Sequence, residues 1–287
     1  MRIHYPEGAY DIALEVARAG KRGLSELVDR LGEAPSLTID IVLNNETDGA
    51  NGSATPSPYN LIYLNIVAPD EVSELSGYRD WLYELVTHEM THIVHIDTVN
   101  GLAYLGNLVL GRWFFPNGTQ PRFMTEGLAT YFETALSEGG RVNNSYFDML
   151  LRGDILAGKP LRLDELSGSV QRWPQGTSAY LYGSYFMDYL SRHFGEDSLR
   201  RMSLDYSGRI VPFSVNLTAK RVFGATYDEL YAGFLSELQA RYTAQKQTIQ
   251  DQGVVEGQAL TCRGQEVSPV LISDTGVIYF VASPLFG

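Results

Sequence analysis

The sequence predicts an α+β fold in which a small N-terminal sheet precedes a mainly helical remainder. Two β-branched segments that alternate in hydropathy, residues 37–43 and 61–67, occur before residue 70, and helical periodicity dominates residues 78–250. The composition is that of a globular protein, with 44% hydrophobic and 20% charged residues. We therefore expect one domain over residues 1–250, with its sheet within residues 1–70.

The N-terminal elements follow from their periodicity. Apolar residues at three- and four-residue steps predict a helix over residues 8–31. Gly20 and Gly23 weaken this helix and mark the place where it could break. The two alternating segments predict two strands. Residues 44–59, which contain Asp-Gly and Asn-Gly pairs and two prolines, predict turns between those strands.

The helical remainder is divided by polar and glycine-containing segments. Loops are expected at three places, residues 111–121, 139–145 and 158–176. Thr226 and Glu229 have the spacing of a capping box, which predicts the start of a last helix that ends near residue 249. After residue 251 the composition becomes rich in Val, Ser, Gly and Pro, and residues 277–281 predict an apolar strand.

Charge and cysteine content exclude several classes of protein. Acidic residues outnumber basic ones 34 to 22, and the net charge of −12 repels phosphate backbones, so we expect no nucleic-acid partner. One cysteine, Cys262, excludes an internal disulfide and a cysteine-based metal cluster. No stretch approaches the roughly 20 apolar residues that span a bilayer. Residues 1–7 also lack the apolar core of a secretory signal.

The most informative segment contains two histidines and a glutamate at helical spacing. His88 and His92 are four residues apart, so on a helix their imidazoles project from one face and can hold one metal ion. Glu89 follows the first histidine and can point beside the metal, where it can take a proton from a metal-bound water. This His-Glu-x-x-His arrangement is that of zinc hydrolases. A chance combination on an ordinary amphipathic helix is the alternative.

A second segment supplies candidates for a third ligand, because catalytic zinc needs three protein ligands and an open position for water. Glu126 begins a helical segment after Pro121, and Glu133 lies seven residues later on the same face. One can bind the metal while the other orients a histidine, although two solvated surface glutamates are the alternative. His95 also competes as a ligand, but we favour a packed or hydrogen-bonding role for it.

The two segments together resemble those of a known family. His88-Glu-x-x-His92 followed by Glu126-Gly-Leu-Ala-x-Tyr-x-Glu133 is similar to the motifs of the gluzincin metallopeptidases, in the branch that contains aminopeptidase N and thermolysin. The resemblance implies a zincin-like domain with one Zn²⁺ per chain, bound by His88, His92 and Glu126. It also implies that Glu89 is the base and that a peptide or protein is the substrate.

Two departures from the family pattern affect the expected activity. The connection between His92 and Glu126 is longer than in aminopeptidase N, which added loop length tolerates. The region 49–67 lacks the Gly-x-Met-Glu-Asn loop with which those aminopeptidases hold a substrate's amino terminus. We therefore expect an endopeptidase. The alternative is a catalytically inactive protein that keeps the fold as a scaffold or binding domain, against which the retention of Glu89 argues.

Three further predictions concern residues around the metal. Residues 179–183 resemble the Tyr-x-x-Gly segment of aminopeptidase N, which implies that Tyr180 stabilises the oxyanion, with Tyr182 as the alternative. Asp97 could orient a ligand imidazole through a hydrogen bond. A candidate edge for binding an extended peptide precedes the second strand at Gly52, Ser53 and Ala54, although an ordinary turn is the alternative.

An apolar segment lies between the two metal-binding segments. Residues 102–115 are strongly apolar and end in Trp113-Phe-Phe-Pro116. This segment could cover the metal cleft, contact a membrane surface or complete the core. Core packing is the interpretation that we favour.

The C-terminal segment resembles the start of a second domain. Residues 266–283 are similar to the first blade strands of a TolB-type β-propeller, as found in bacterial proteins of the peptidase MA family. We therefore expect residues 251–287 to form a linker and the first strands of a propeller that contacts partners. An extra hairpin packed on the helical domain is the alternative. The resemblance also implies a periplasmic or secreted protein.

Overall fold

The computed structural model describes residues 1–69, 75, 78–258 and 271–279. In these residues the chain is α+β, with a four-stranded mixed sheet and a larger helical part, which confirms the predicted fold class. The chain divides into two compact units, Met1–Thr243 and Ala244–Gly287.

The elements are numbered in chain order. The strands are β1 (Arg2–His4), β2 (Asp40–Asn44), β3 (Asn51–Thr55), β4 (Leu61–Asn65), β5 (Leu271–Ile272) and β6 (Ile278–Tyr279). The α-helices of the described residues are α1 (Tyr10–Arg30), α2 (Trp81–Asp97), α3 (Gly101–Leu110), α4 (Arg122–Ala135), α5 (Ser145–Leu156), α6 (Ser178–Phe194), α7 (Asp197–Ser207), α8 (Val215–Phe223) and α9 (Tyr227–Gln252). The predicted loops contain only short 3₁₀ turns.

The N-terminal sheet has the strand order β1-β2-β4-β3. Strands β1, β2 and β4 are parallel, and β3 runs antiparallel to β4, with Asn51 opposite Asn65 and Thr55 opposite Leu61. The two predicted strands are present, whereas β1 and β3 were not predicted. The segment of β3 was expected to be a turn because its small polar residues, Asn-Gly-Ser-Ala-Thr, have low strand propensity. Pairing with β4 overrides that local preference.

Helix α1 continues through both of its central glycines, so the predicted helix forms without a break. Gly20 and Gly23 are buried. A Cβ atom built on Gly23 would lie 3.2 Å from Thr87 Oγ1 of α2, and one on Gly20 would lie 2.8 Å from Met1 Sδ. Gly23 therefore permits a close approach of α1 to α2, and Gly20 leaves room for the Met1 side chain, which outweighs their low helix propensity.

Helices α4 and α6 cross with their backbones in contact. A Cβ atom on Gly183 would overlap the carbonyl oxygen of Phe123 and lie 2.9 Å from the Cα of Gly127. Conversely, one on Gly127 would lie 2.6 Å from the Cα of Gly183. This contact fixes the separation of two helices that carry Glu126 and Tyr180.

The apolar segment 102–115 is not part of the core, so the favoured interpretation of this segment is wrong. It contains helix α3, of which Ala103 alone is buried among the described residues. Within that part of the chain, no single helix is long and apolar enough to cross a membrane. Helices α2 and α3 together have the length and apolar composition of a membrane span, but the chain bends by 87° between them.

Two predictions concern the C-terminal part of the chain. The capping box forms as predicted, since the amide of Thr226 donates to Glu229 Oε2 at 2.7 Å and the amide of Glu229 donates to Thr226 Oγ1 at 3.3 Å. Strands β5 and β6 form an antiparallel hairpin. The described residues contain this hairpin and no propeller blade, while the remainder of the expected propeller start, residues 259–270 and 280–287, lies outside them.

The helix contact at Gly183 generates a prediction about stability. Gly183→Ala should lower the free energy of unfolding by about 1–3 kcal/mol, because the added methyl group overpacks a backbone-to-backbone contact. Gly153→Ala in α5 is the matched control, since a Cβ atom there meets nothing within 4 Å. It should be neutral or stabilise the protein by up to about 1 kcal/mol. Urea unfolding followed by circular dichroism measures both, and equal stability of the two variants would contradict the prediction.

Candidate metal centre

Helix α2 carries the His-Glu-x-x-His segment through the interior of the protein. The Asp80 carboxylate caps the helix by accepting a hydrogen bond from the amide of Tyr83 at 3.2 Å. The helix is buried along most of its length. His88 and His92 project from one face, and their ring centroids lie 5.0 Å apart.

Three side chains converge between α2 and α4. The Nε2 atoms of His88 and His92 are 3.3 Å apart, and Glu126 Oε2 lies 3.5 Å and 3.3 Å from them, respectively. The edge of a tetrahedron with metal–ligand bonds of 2.0–2.1 Å is about 3.3 Å. The three atoms therefore have the separations that three ligands of one tetrahedral ion require, and the cluster could hold a metal ion.

The charges around this cluster favour a cation. Glu126 Oε2 is buried and has no hydrogen-bond partner among the described residues, which is costly for a carboxylate unless a cation satisfies it. Burial alone would raise the pKa of Glu126, but the two histidines hold it well below its ordinary value. Burial would likewise lower the pKa of His88, yet the adjacent carboxylates of Glu126 and Glu133 raise it to about 9.

Glu133 lies behind the first histidine, in the place expected for a residue that orients it. Its Oε2 is 3.1 Å from His88 Nδ1, so it can accept the Nδ1 proton and leave Nε2 free for a metal. Arg141 donates from Nε to Oε1 at 2.8 Å and from Nη2 to Oε2 at 3.0 Å, and Tyr78 donates its hydroxyl proton. Burial would raise the pKa of Glu133, but the charges and hydrogen bonds of Arg141 and His88 together outweigh burial and lower the pKa to about 2.

Glu89 lies against the edge strand β3. A Cβ atom on Gly52 would be 2.8 Å from Glu89 Cγ, so only glycine fits where the strand passes this side chain. Burial raises the pKa of Glu89. Gly52 lines the cleft, and Ser53 and Ala54 follow it on the same edge strand, paired with Tyr63 and Ile62 of β4.

The cleft has a volume of about 560 Å³ and opens beside His88. Its lining side chains come from β3, α2, α4, α6 and the connecting segments, and are Ala50, Asn51, Gly52, Leu75, Tyr78, Leu85, His88, Glu89, Arg122, Arg141, Pro174, Gln175, Gly176, Thr177 and Tyr180. Glu89 is the one acidic residue among them. The cleft therefore offers a carboxylate next to a candidate metal site and two arginines on the facing wall.

Tyr180 lines the cleft beside His88, whereas Tyr182 is not among the residues that line it. The Tyr180 ring stacks at 6.0 Å from the ring of His88, and its hydroxyl accepts a hydrogen bond from Arg122 Nη2 at 3.4 Å. Arg141 lies 4.8 Å from the centre of the ring. The Tyr182 hydroxyl is committed elsewhere, since it donates to Asp154 at 2.7 Å, so the alternative assignment of the oxyanion role to Tyr182 is wrong.

His95 is buried away from the three convergent ligand atoms. Its Nδ1 lies 2.9 Å from Ser203 Oγ and its Nε2 lies 2.9 Å from Gln120 Oε1, so both ring nitrogens are occupied by hydrogen bonds. Burial lowers the pKa of His95 to about 4, which keeps the ring neutral. His95 therefore has the hydrogen-bonding role that we favoured from the sequence, and the ligand alternative lacks a free nitrogen.

Asp97 does not orient a ligand imidazole, so that prediction is wrong. Its carboxylate accepts from the Ser36 amide at 2.8 Å and from Asn60 Nδ2 at 3.0 Å, and it pairs with Arg112 at 2.9 Å. Asp97 therefore connects the C-terminal end of α2 to the segments that precede β2 and β4.

The residues of the cleft that the sequence did not reveal are Tyr78, Arg122 and Arg141. Arg141 lies in a predicted loop, where no periodic pattern connects it to Glu133.

The comparison with known proteins assigns neither a family nor a function to this chain. The chain matches no family model and no curated protein. The chemistry of the site must therefore be inferred from the side chains and distances above.

The ligand geometry generates a prediction about metal content. Glu126→Ala should lose most of the bound zinc, because two histidines leave the coordination shell underfilled. His95→Gln is the matched control, since Gln can keep a hydrogen bond to Ser203 or Gln120, and it should retain about one zinc per chain. Mass spectrometry of the metal in purified protein measures both. A His95→Gln variant without zinc beside a Glu126→Ala variant with zinc would show that the ligands are misassigned.

Proposed function

We propose that this protein is a zinc-dependent peptidase of the gluzincin type that hydrolyses internal peptide bonds. The observation that carries the proposal is the convergence of His88, His92 and Glu126 at the separations of a tetrahedral site, with Glu89 on the wall of the same cleft. Two imidazole nitrogens and one carboxylate oxygen are a donor set that suits zinc. A buried base beside such a site is the combination that hydrolysis requires.

Glu89 is the proposed general base. Zinc held by His88, His92 and Glu126 would supply a Lewis acid and lower the pKa of a water molecule at the site. The Glu89 carboxylate accepts a proton from the attacking water as the new C–O bond forms, and passes it to the leaving nitrogen as the C–N bond breaks. The raised pKa of Glu89 brings this base closer to neutral pH, where proton transfer in both directions is efficient.

Tyr180 is proposed to stabilise the tetrahedral intermediate. Its hydroxyl lies in the cleft beside His88, so it can donate to the oxyanion that develops on the substrate carbonyl. The guanidinium groups of Arg122 and Arg141 pack against its ring at 5.5 Å and 4.8 Å. These contacts hold the hydroxyl in place before the reaction, which is the condition under which such a donor accelerates it.

The walls of the cleft support an extended peptide as the substrate. Strand β3 is an edge of the sheet and passes directly over Glu89, so its backbone can pair with a substrate in extended conformation. Glu89 is the sole acidic side chain on the wall of the cleft as described, and its proposed task is proton transfer. Among the described lining residues, no second carboxylate is left to pair with the ammonium group of a substrate's first residue. Cleavage within a chain is therefore favoured over removal of amino-terminal residues.

The C-terminal segment extends the proposal. We assign the β5–β6 hairpin, which lies within the predicted segment 251–287, to the first strands of a β-propeller. The antiparallel pairing of β5 with β6 supports this assignment for one pair of strands. In the turn between them, the amide of Gly276 donates to the carbonyl of Ser273 at 2.8 Å. A propeller in this position would present partners or substrates to the peptidase domain, in the periplasm or outside the cell.

The role of Glu89 generates a prediction that separates binding of metal from catalysis. Glu89→Gln should retain zinc, because Glu89 is not a ligand, and should lower kcat by at least about 100-fold, because the amide cannot accept the proton. The measurement is hydrolysis of a fluorescently labelled unfolded protein, with a zinc assay on the same samples. Wild-type protein that holds zinc and cleaves nothing would favour the inactive scaffold instead. Full activity of Glu89→Gln would refute the mechanism.

A second prediction concerns Tyr180. Tyr180→Phe should lower kcat by about 100- to 1,000-fold and change KM much less, because the lost hydrogen bond forms mainly in the transition state. Tyr182→Phe is the matched control, since its hydroxyl contacts Asp154 outside the cleft. It should keep kcat near the wild-type value. Steady-state kinetics on one cleaved peptide measures both, and a larger loss of kcat in Tyr182→Phe would move the oxyanion role away from Tyr180.

A further inference from the structure

The segment that follows the metal-binding helix forms an exposed apolar projection. Residues 101–111 contain no charged side chain. The exposed fractions of Leu108, Val109 and Trp113 are 65%, 82% and 78%. Side chains of this kind are normally buried, so their exposure over one continuous segment requires an explanation.

A second apolar segment extends this surface. Leu102 of α3 shares a groove with Ile210, Val211 and Leu217, which lie between α7 and α8 or at the start of α8. The exposed fraction of Val211 is 69%, and that of the neighbouring Phe213 is 77%. We call residues 101–115 and 210–217 together the apolar surface.

Hydrogen bonds fix the apolar projection in shape. Asn107 Oδ1 accepts from the amides of Trp113 and Phe114 at 3.0 Å and 2.8 Å, and Asn107 Nδ2 donates to the carbonyl of Phe114 at 2.8 Å. The Phe114 ring lies so close to Gly106 that a Cβ atom there would be 2.9 Å from it. The side-chain amide of Asn107 therefore forms its hydrogen bonds within the projection. The loop that it holds leaves the Trp113 side chain exposed to solvent.

Arg112 is directed away from the apolar surface. It pairs with Asp97 at 2.9 Å and donates to the carbonyl of Pro56 at 2.7 Å and to Asn60 Oδ1 at 2.9 Å. Arg112 is the one charged residue in the sequence of residues 101–115, and its side chain therefore points toward the body of the protein. What remains on the outside is aliphatic and aromatic, supported by a helix whose backbone polar groups are largely paired.

The distribution of exposed side chains favours lipid over a protein partner. At 100° per residue, the exposed apolar side chains of α3 cover about two thirds of the helix circumference. A helix that docks on a protein needs a stripe of about 100°, whereas lipid surrounds a helix on all free sides. The ten residues of α3 span about 15 Å, half the thickness of a bilayer core, so the helix can lie in the membrane interface but cannot cross it.

Aromatic and charged residues at the margin agree with an interfacial location. Trp113 and Tyr104 are exposed, and these two residue types are the ones that prefer the level of the lipid head groups. The groove carries Arg209, Arg221 and Asp205, and the Arg221 side chain is 70% exposed, whereas that of Arg209 is 12% exposed and held by Asp205. One exposed cation at this margin suits lipid phosphates in a chain whose net charge is −12.

We infer that the apolar surface inserts into the interfacial region of a phospholipid bilayer and holds the protein on the membrane. Leu108, Val109 and Trp113 enter the boundary between head groups and acyl chains, where their apolar area leaves water. The exposed Arg221 side chain remains at the phosphate level. This inference is independent of the proposed peptidase activity, because it rests on no residue of the metal centre.

The test is binding of the 287-residue chain to vesicles. Wild-type protein should sediment with phosphatidylcholine vesicles at both low and high salt, because the binding energy comes from buried apolar area. The double variant Leu108→Asp with Val109→Asp should weaken partitioning on the order of 100-fold. Tyr10→Asp with Met149→Asp is the matched control, since both side chains are exposed on α1 and α5, and it should bind as the wild type does.

A fluorescence measurement locates the inserted residue. Phosphatidylcholine brominated in its acyl chains should quench the tryptophan emission of the wild type, and Trp113→Phe should abolish that quenching although Trp81 and Trp173 remain. Wild-type protein that stays in the supernatant, or a Leu108→Asp with Val109→Asp variant that binds as tightly, would overturn the inference. So would a concentration-dependent dimer that the same variant abolishes without any vesicle binding, because a second copy would then cover the surface.

Discussion

The buried carboxylate of Glu133 is the constraint around which the candidate metal centre is assembled. Its side chain has no exposed surface, and a charge in that position would cost several kcal/mol without partners. Arg141 and Tyr78 supply the donors, and His88 supplies one more through Nδ1. The donors lie on α2 and on the segments that precede α2 and follow α4, so satisfying the charge fixes these parts of the chain around α4. The orientation of the His88 ring, with Nε2 toward Glu126, is a consequence of that arrangement.

Close backbone contacts bring the remaining groups of the cleft together. The contact between Gly127 and Gly183 brings α6 against α4, so Tyr180 faces the ligands from the helix that neighbours Glu126. At the opposite wall, Gly52 lets the edge strand pass over Glu89. The proposed base, the proposed oxyanion donor and the candidate edge for peptide pairing therefore meet in one cleft because glycines occupy the contacts between elements, where any side chain would hold them apart.

The sequence predicted the parts of the site whose signal is local. The spacing of His88 and His92, and of Glu126 and Glu133, depends on helix geometry alone and was readable without tertiary structure. Arg141 was not predictable, because it reaches Glu133 from an irregular segment and no spacing encodes that contact. Strand β3 was missed since its pairing with β4, and not its composition, makes it a strand. The apolar helix α3 was interpreted as core because periodicity shows how apolar a helix is and does not show what surrounds it.

The continuity of α2 and α3 relates the metal centre to the apolar surface. The two helices meet at 87°, an angle at which α2 can stand along the membrane normal while α3 lies in the plane of a membrane interface. In that orientation, at a rise of 1.5 Å per residue, His92 and His88 stand about 8 Å and 14 Å above the end of α2 at Asp97. An extended chain covers that distance in about two to four residues. A bilayer at the apolar surface would then favour, as substrates of the proposed peptidase, polypeptide segments that emerge just above the lipid.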